Sequence, residues 1–380
     1  MTCPHCKEAA RFVNYRPKTF LSLLGDIRLE RAYYHCDKCA QGSFPWDQTL
    51  RLSAQRQTLA AQEVITLSGI QASFGKVADR TLWKQTGLRV SESTVQRTTE
   101  TAGERLGKLL DEGAVFGQPC AWDWHCDRSG QTCGYVSVAA TGILMQGPDG
   151  AKVEGRMVYL GMVYNPQPRA VDEDPIALPC DGVRYLAGLC TLDDLGAQLR
   201  RQACQVGMND IDQWIALSDA GSGLEHFFDV YFPLAEKIVD FRHATEHLTA
   251  LAKLLRPGQA GENLLSAWCH RLKHAGGRSL LATLTKLDRG QMDAPTQAEH
   301  AQVLTYFGNH AGRMNYPEYL RRGWQIGSGS VESACKNVIN HRLSMGGMRW
   351  GADGGDAVAH LRALFCSDVD QWDAYWTLAA

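Results

Sequence analysis

The sequence predicts an α/β core interrupted by a long helical stretch and preceded by a cysteine-paired module and a helical region. Three observations lead there. Apolar, β-rich runs at 133–146, 155–165 and 214–217 are bounded by Gly, Pro and Asp turn signals, the pattern of buried strands. From about 241 to 319 the text is helical, broken at RPGQAGEN and DRGQMDAPT. Near the start, Cys3-x-x-Cys6 and Cys36-x-x-Cys39 flank alternating, strand-like text.

At 380 residues, 44% hydrophobic and 21% charged, the composition is that of an ordinary globular chain with room for two or three domains. No run approaches the ~20 apolar residues of a membrane span, and MTCPHCKE lacks a signal-peptide core. A soluble, non-exported protein is expected, and thirteen cysteines, an odd number, argue against a secreted disulfide framework. The net charge of −2 hides a polarity: residues 1–110 carry +6, 111–236 carry −11 and 237–380 carry +3. Basic ends suit a polyanion, while the acidic middle repels one unless cations intervene.

In order, the first segment reads as a zinc ribbon. Strand-like pieces, FVNY and DIRLERAYYHC, lie between two CxxC knuckles whose four thiolates suit tetrahedral Zn²⁺. His5 is surplus to such a set. Residues 54–110 read as helical, with two patterns around Gly87 and a second helix capped by Ser91 or Ser93. The pair resembles a helix-turn-helix that would offer Ser93, Thr94, Gln96 and Arg97 to DNA; an ordinary helix pair is the alternative.

The runs 133–146 and 155–165, split by GPDG, read as a long hairpin, followed by a Pro- and acid-rich loop. A mixed stretch leads to WIALSDAGSG, whose Asp219 stands just off a buried strand, where open α/β sheets place ligands. LEHFFDVYF reads as a short helix, and AEKIVDFRHATEHLTALAKLL as a strand running into a long one. A second Gly/Ser turn, IGSGSVESACK, opens a helix carrying Glu332. Taken singly, Asp219 also reads as a helix N-cap and Glu332 as a first-turn complement to the helix dipole. Trp324, Arg349 and Trp350 can stack on unpaired bases, although the tryptophans equally read as core.

These pieces together resemble a bacterial insertion-sequence transposase of the ISKra-like group, with an RNase H-like DDE core. The resemblance runs nearly end to end: CPHC…CDKC, VSESTVQR, WDWH…YVS-x-x-ATG, SDAGSG, DFRHATEH, IGSGSVESACK and GGMRW. It implies a zinc ribbon over 1–50, a helical DNA-binding region over 51–112, and an RNase H-like core over 113–250. A helical insertion over 251–320 and a return to the core over 321–380 complete it. The second catalytic acid falls on Asp219 and the third on Glu332, both expected to ligate Mg²⁺ or Mn²⁺. Asp240 and His243 match the D-x-x-H element of Mutator-like transposases, as accessory residues. Arg349 is counted among the DNA contacts.

The first acid of the group belongs at Ala139, and a methyl cannot ligate a metal. A two-metal site needs hard oxygen ligands around ions roughly 4 Å apart, so the chain as written is expected to be inactive, whether by substitution or decay. Asp123 and Asp127 are the nearest substitutes. Family chemistry would be hydrolysis at element ends, then attack of the freed 3′-hydroxyl on target DNA. The implied partners are transposon-end and target DNA and a second copy of the chain, in a bacterial, nucleoid-associated, cytoplasmic setting.

Two other readings stay open. One keeps DNA affinity without chemistry, as in a domesticated DNA-binding protein. The other takes His243-Ala-Thr-Glu246-His247 as H-x-x-E-H, an inverted zinc-protease signature with Glu262 as a candidate third ligand. That last reading leaves the CxxC pairs, SDAGSG and IGSGSVES without a role.

Overall fold

A computed structural model describes residues 1–49, 56–167, 180–221 and 223–379. Most of the Pro- and acid-rich loop after residue 165, and Ser222 of SDAGSG, lie outside these.

Two sheets form. The N-terminal one joins β1 (Arg11–Ser22), β2 (Gly25–Cys36) and β3 (Gln41–Ser43) in sequence order, antiparallel throughout. The second strand matches the piece DIRLERAYYHC, whereas the first runs far beyond FVNY, because Pro17 does not stop β1. As an edge strand, β1 leaves one side of its backbone without a ladder, so a residue lacking an N–H is tolerated there.

A three-part helical unit follows: α1 (Leu59–Gly69), an interrupted helix over Phe74–Lys76, Val77–Thr81 and Leu82–Thr86, and α2 (Glu92–Asp111). Ile65, Val77, Leu82, Leu88 and Val95 form its small core. Gly87 closes the second helix in the left-handed conformation, φ 76°. Ser91, not Ser93, caps α2, accepting the Thr94 N–H at 3.2 Å.

The second sheet holds β4 (Cys133–Ile143), β5 (Arg156–Pro166), β6 (Cys180–Gly188), β7 (Gln213–Ser218) and β8 (Glu236–Val239) in the order β6-β5-β4-β7-β8. The strands β4 and β5 pair antiparallel, as the long hairpin predicts, and β6 adds antiparallel to β5; β4–β7 and β7–β8 are parallel. Crossovers between parallel strands are helical: α3 (Leu192–Gln205) precedes β7 and α4 (Leu224–Tyr231) precedes β8. The mixed stretch before Asp219 thus resolves into β6 and α3.

Period-2 alternation sends Tyr135, Ile215 and Leu217 to one face and Val136, Val138 and Ala216 to the other. The first face is covered by α5 (Phe241–Leu255), α6 (Gln259–Thr285), α7 (Ala294–His310), α8 (Tyr316–Arg322) and α9 (Gly329–Ala334). The second packs against α2, α3, α4, α10 (Ala352–Cys366) and α11 (Val369–Ala379). The latter half of α2 therefore belongs to the core, with Ala102, Leu106 and Leu110 buried in it. A Cβ on Gly103 would lie 2.2 Å from the Ala357 carbonyl oxygen, so α2 and α10 cross backbone against backbone.

Candidate functional site

At the carboxyl ends of β4 and β7 a cavity of about 260 Å³ opens, lined among others by Ala139, Asp219, Asp240, Ser328 and Glu332. Register explains much of this. Ser137 pairs with Leu217 in the parallel ladder, so Ala139, two residues further along β4, comes level with Asp219, one residue past the end of β7. The chain turns sharply after Asp219, whose Oδ1 accepts the Gly221 N–H at 2.9 Å. Ala220 is left-handed, φ 62°, a strain of ~1 kcal/mol for a residue with a Cβ. Asp219 Oδ1 serves this turn, and Asp219 does not cap α4, whose N-cap position is Gly223 with no side-chain hydrogen bond.

Glu332 comes from α9, which continues through a π-helical turn, Cys335–Asn340, and a last turn, His341–Leu343. Thr141 Oγ1 donates to Asn340 Oδ1 at 3.2 Å, tying this helix to β4. Burial, with the charges of Glu332 and Asp219 adding, pushes the Cys335 thiol up to about 11. Cys335 thus stays protonated between the two acids.

Asp240, only 1% exposed, does more than the D-x-x-H spacing suggests. It caps α5 through the Arg242 and His243 N–H groups, at 2.9 and 3.3 Å. Ser328 Oγ lies 2.7 Å from Asp240 Oδ2 and 2.9 Å from Glu332 Oε1. A hydroxyl has one hydrogen, so it can donate to only one carboxylate at a time. Ser328 is a residue that sequence reasoning missed; its only signal is its place before the Glu332 helix.

His243 and Glu246 also line the cavity, 3.6 Å apart. His247 turns away and stacks on Tyr306 of α7, ring centroids 3.8 Å apart, beside His310. His247 thus packs on the helical insertion, while His243 faces the cavity. Glu262 is exposed on α6, and no three-ligand group forms around H-x-x-E-H among the described residues.

Asp123 and Asp127 precede β4, and the six steps from 133 to 139 span ~20 Å of strand. Asp127 is engaged instead with Ser129, Gln131 and Trp324. Trp324 is core, 3% exposed and stacked on Tyr319; Trp350, 6% exposed, is anchored by Nε1 to the Leu343 carbonyl. Neither tryptophan is free on the surface.

On α2, Ser93, Gln96 and Arg97 are exposed and Thr94 is half-buried. Arg97 Nε donates to the Ser93 carbonyl at 3.2 Å, and Gln96 Nε2 to Glu100 at 3.0 Å. Arg349 donates to the Met145 carbonyl at 3.3 Å.

The two metal questions separate here. Cys3, Cys6, Cys36 and Cys39 bring their sulfurs within 4.8 Å of one another, with Cys3–Cys39 at 3.6 Å and Cys6–Cys36 at 3.5 Å. A tetrahedron with ~2.3 Å Zn–S bonds has edges of ~3.8 Å, so the set fits zinc and is too open for disulfides at ~2.05 Å. Backbone N–H groups, led by that of Cys6, lower the Cys3 thiol to about 6, and burial raises Cys39 to about 12. The acid cavity behaves otherwise: among the described residues no three of its acids and histidines come close enough to share an ion. Asp219 and Glu332 beside a methyl do not fit a two-metal clamp. No helix among the described residues is long and apolar enough to cross a membrane. No family model and no curated protein matches the chain.

Proposed function

We propose that the chain is a DNA transposase of the RNase H-like DDE class that binds DNA but lacks its first catalytic acid. The observation that carries this reading is the meeting of Ala139, Asp219 and Glu332, 193 residues apart from first to last, in one cavity at the ends of β4 and β7. The strand order β6-β5-β4-β7-β8, three antiparallel strands then two parallel, supports the RNase H-like assignment. The helical unit 59–111, with Ser93, Gln96 and Arg97 outward, is the proposed DNA-reading surface. Pairing of two DNA ends implies a dimer or larger assembly, in a bacterial cytoplasm.

With alanine at 139 no cleavage step can be written for the chain. An aspartate there would add the third hard ligand, and Mg²⁺ or Mn²⁺ held with Asp219 and Glu332 would supply Lewis-acid activation of the attacking water and leaving oxygen. The test is divalent-dependent nicking of duplex DNA spanning the borders of the gene's own locus, by the chain and by Ala139→Asp. Silence from the first and cutting by the second are expected; cutting by the first, or silence from both, overturns the catalytic assignment. A non-catalytic, domesticated DNA-binding protein is the second reading, favoured by the methyl itself. DNA binding that persists while Ala139→Asp stays silent selects it.

A further inference from the structure

A second cavity, about 300 Å³, lies between α2 and the segment after Leu343. Phe74 and Trp350 meet edge to face in its wall, ring centroids 6.1 Å apart. Under them runs Arg342, 1% exposed, its guanidinium 4.7 Å from the Phe74 ring centre and 4.8 Å from that of Trp350. Arg342 Nε donates to the Gly69 carbonyl at 2.8 Å and Nη1 faces Met348 Sδ at 3.1 Å. The cation is thus built into the floor. Gln96, Gln146, Arg349, Glu92 and Glu100 also line the cavity.

This lining selects a ligand chemistry. Glu92 and Glu100 offset the charges of Arg342 and Arg349, so the lining carries no net positive charge to draw a phosphate, and its amides, carboxylates and aromatic ring suit a neutral planar ring with donors and acceptors in its plane. The volume, at the low end of the ~300–1,000 Å³ of small-ligand pockets, admits one such ring. Carboxylates accept from exocyclic amines, which adenine, guanine and cytosine carry and thymine lacks. Gln96 stands on the exposed half of α2, at the edge of the proposed DNA-reading surface.

We propose that this cavity receives a single unpaired, amino-bearing nucleobase from DNA held against α2. The inference rests on the DNA-binding reading and is independent of catalysis. The experiment compares the full chain on three duplexes by fluorescence anisotropy: fully paired, with one bulged cytosine, and with one bulged thymine. Stacking on the half-buried Phe74 ring, together with donation of the exocyclic amine to a carboxylate of the lining, predicts about tenfold tighter binding of the cytosine bulge than of the paired duplex, with a smaller gain for thymine, which stacks but carries no amine. Glu100→Gln and the exposed Gln146→Ala, each checked for an unchanged melting temperature, abolish that preference, and Gln146→Ala leaves paired-duplex affinity intact. No cytosine preference in the chain, a preference that survives both variants, or equal gain from thymine overturns the proposal.

Saturation-transfer NMR with cytidine, thymidine and inorganic phosphate separates the two readings. Cytidine contact that Gln146→Ala removes, without duplex binding, retires the DNA reading and keeps the pocket. Duplex binding without cytidine contact or bulge preference retires the pocket alone. Phosphate contact equal to that of cytidine shows an anion site and retires the nucleobase.

Discussion

The cysteine cluster and the acid cavity are both sites where distant residues meet around a possible cation, and they differ in how the donors arrive. The cysteines come as two adjacent pairs, each a local turn, so folding need only bring two pieces together. The acids come one at a time from the ends of β7 and of a segment more than a hundred residues later, and β4 contributes a methyl. A local motif carries its own geometry. A site assembled singly has no redundancy, and one position without a donor leaves the others short of a ligand set.

The largest effect expected is at the cysteines. Cys36→Ser should reduce bound zinc from about one ion per chain to none, and expose β1 and β2 to rapid amide exchange, read by metal analysis and hydrogen-exchange mass spectrometry. Retention of zinc would break the comparison at its stronger side. Next comes Ala139→Asp, which should turn a chain whose melting temperature ignores Mn²⁺ into one stabilised by about 2.7 kcal/mol at a hundredfold excess over its Kd. An unchanged thermal shift would show that the cavity lacks more than one ligand.

Asp240 allows a finer test. Asp240→Ala removes a helix cap and a buried partner of Ser328 and should cost about 2 kcal/mol in urea unfolding. Asp240→Asn keeps the cap and should lose about half of that. Equal losses would mean that the cavity link to Ser328 carries the stability, and not the cap.

The smallest effect concerns pH. Burial leads in holding His247 and His310 below 6.5; His243, Glu246 and Glu299 face the first, and Arg313, Glu225, His247 and His243 the second. The unfolded chain therefore binds more protons below pH 6.5, so this stabilisation is present above that pH and lost as pH falls toward the folded values. The melting temperature should drop less on acidification to pH 5.5 in His247→Gln/His310→Gln than in the parent. An identical drop would exclude the α5–α7 seam as the origin.

Much of this architecture was legible in the text. The hairpin β4–β5, the β8-to-α5 junction and the Ser91 cap follow from periodicity and end signals, and CxxC spacing needs no tertiary knowledge. The length of β1 was hidden because Pro17 looks like a strand breaker until the strand is known to lie at an edge. Asp240 read as a motif letter, yet its contact with Ser328 spans 88 positions. His247 suggested a ligand only while Tyr306, its stacking partner, was out of view. The cavity of Arg342 and Trp350 could not be foreseen, since its walls come from four separate segments.

The crossing at Gly103 has a mechanical meaning. A helix whose outer half packs with α1 and the interrupted helix around Val95 and whose inner half is fused to the sheet layer acts as a rigid arm, about 30 Å over its twenty residues. Whatever its tip grips is held in constant phase with the cavity beyond β4, and one residue inserted between 96 and 103 would swing that grip by ~100°.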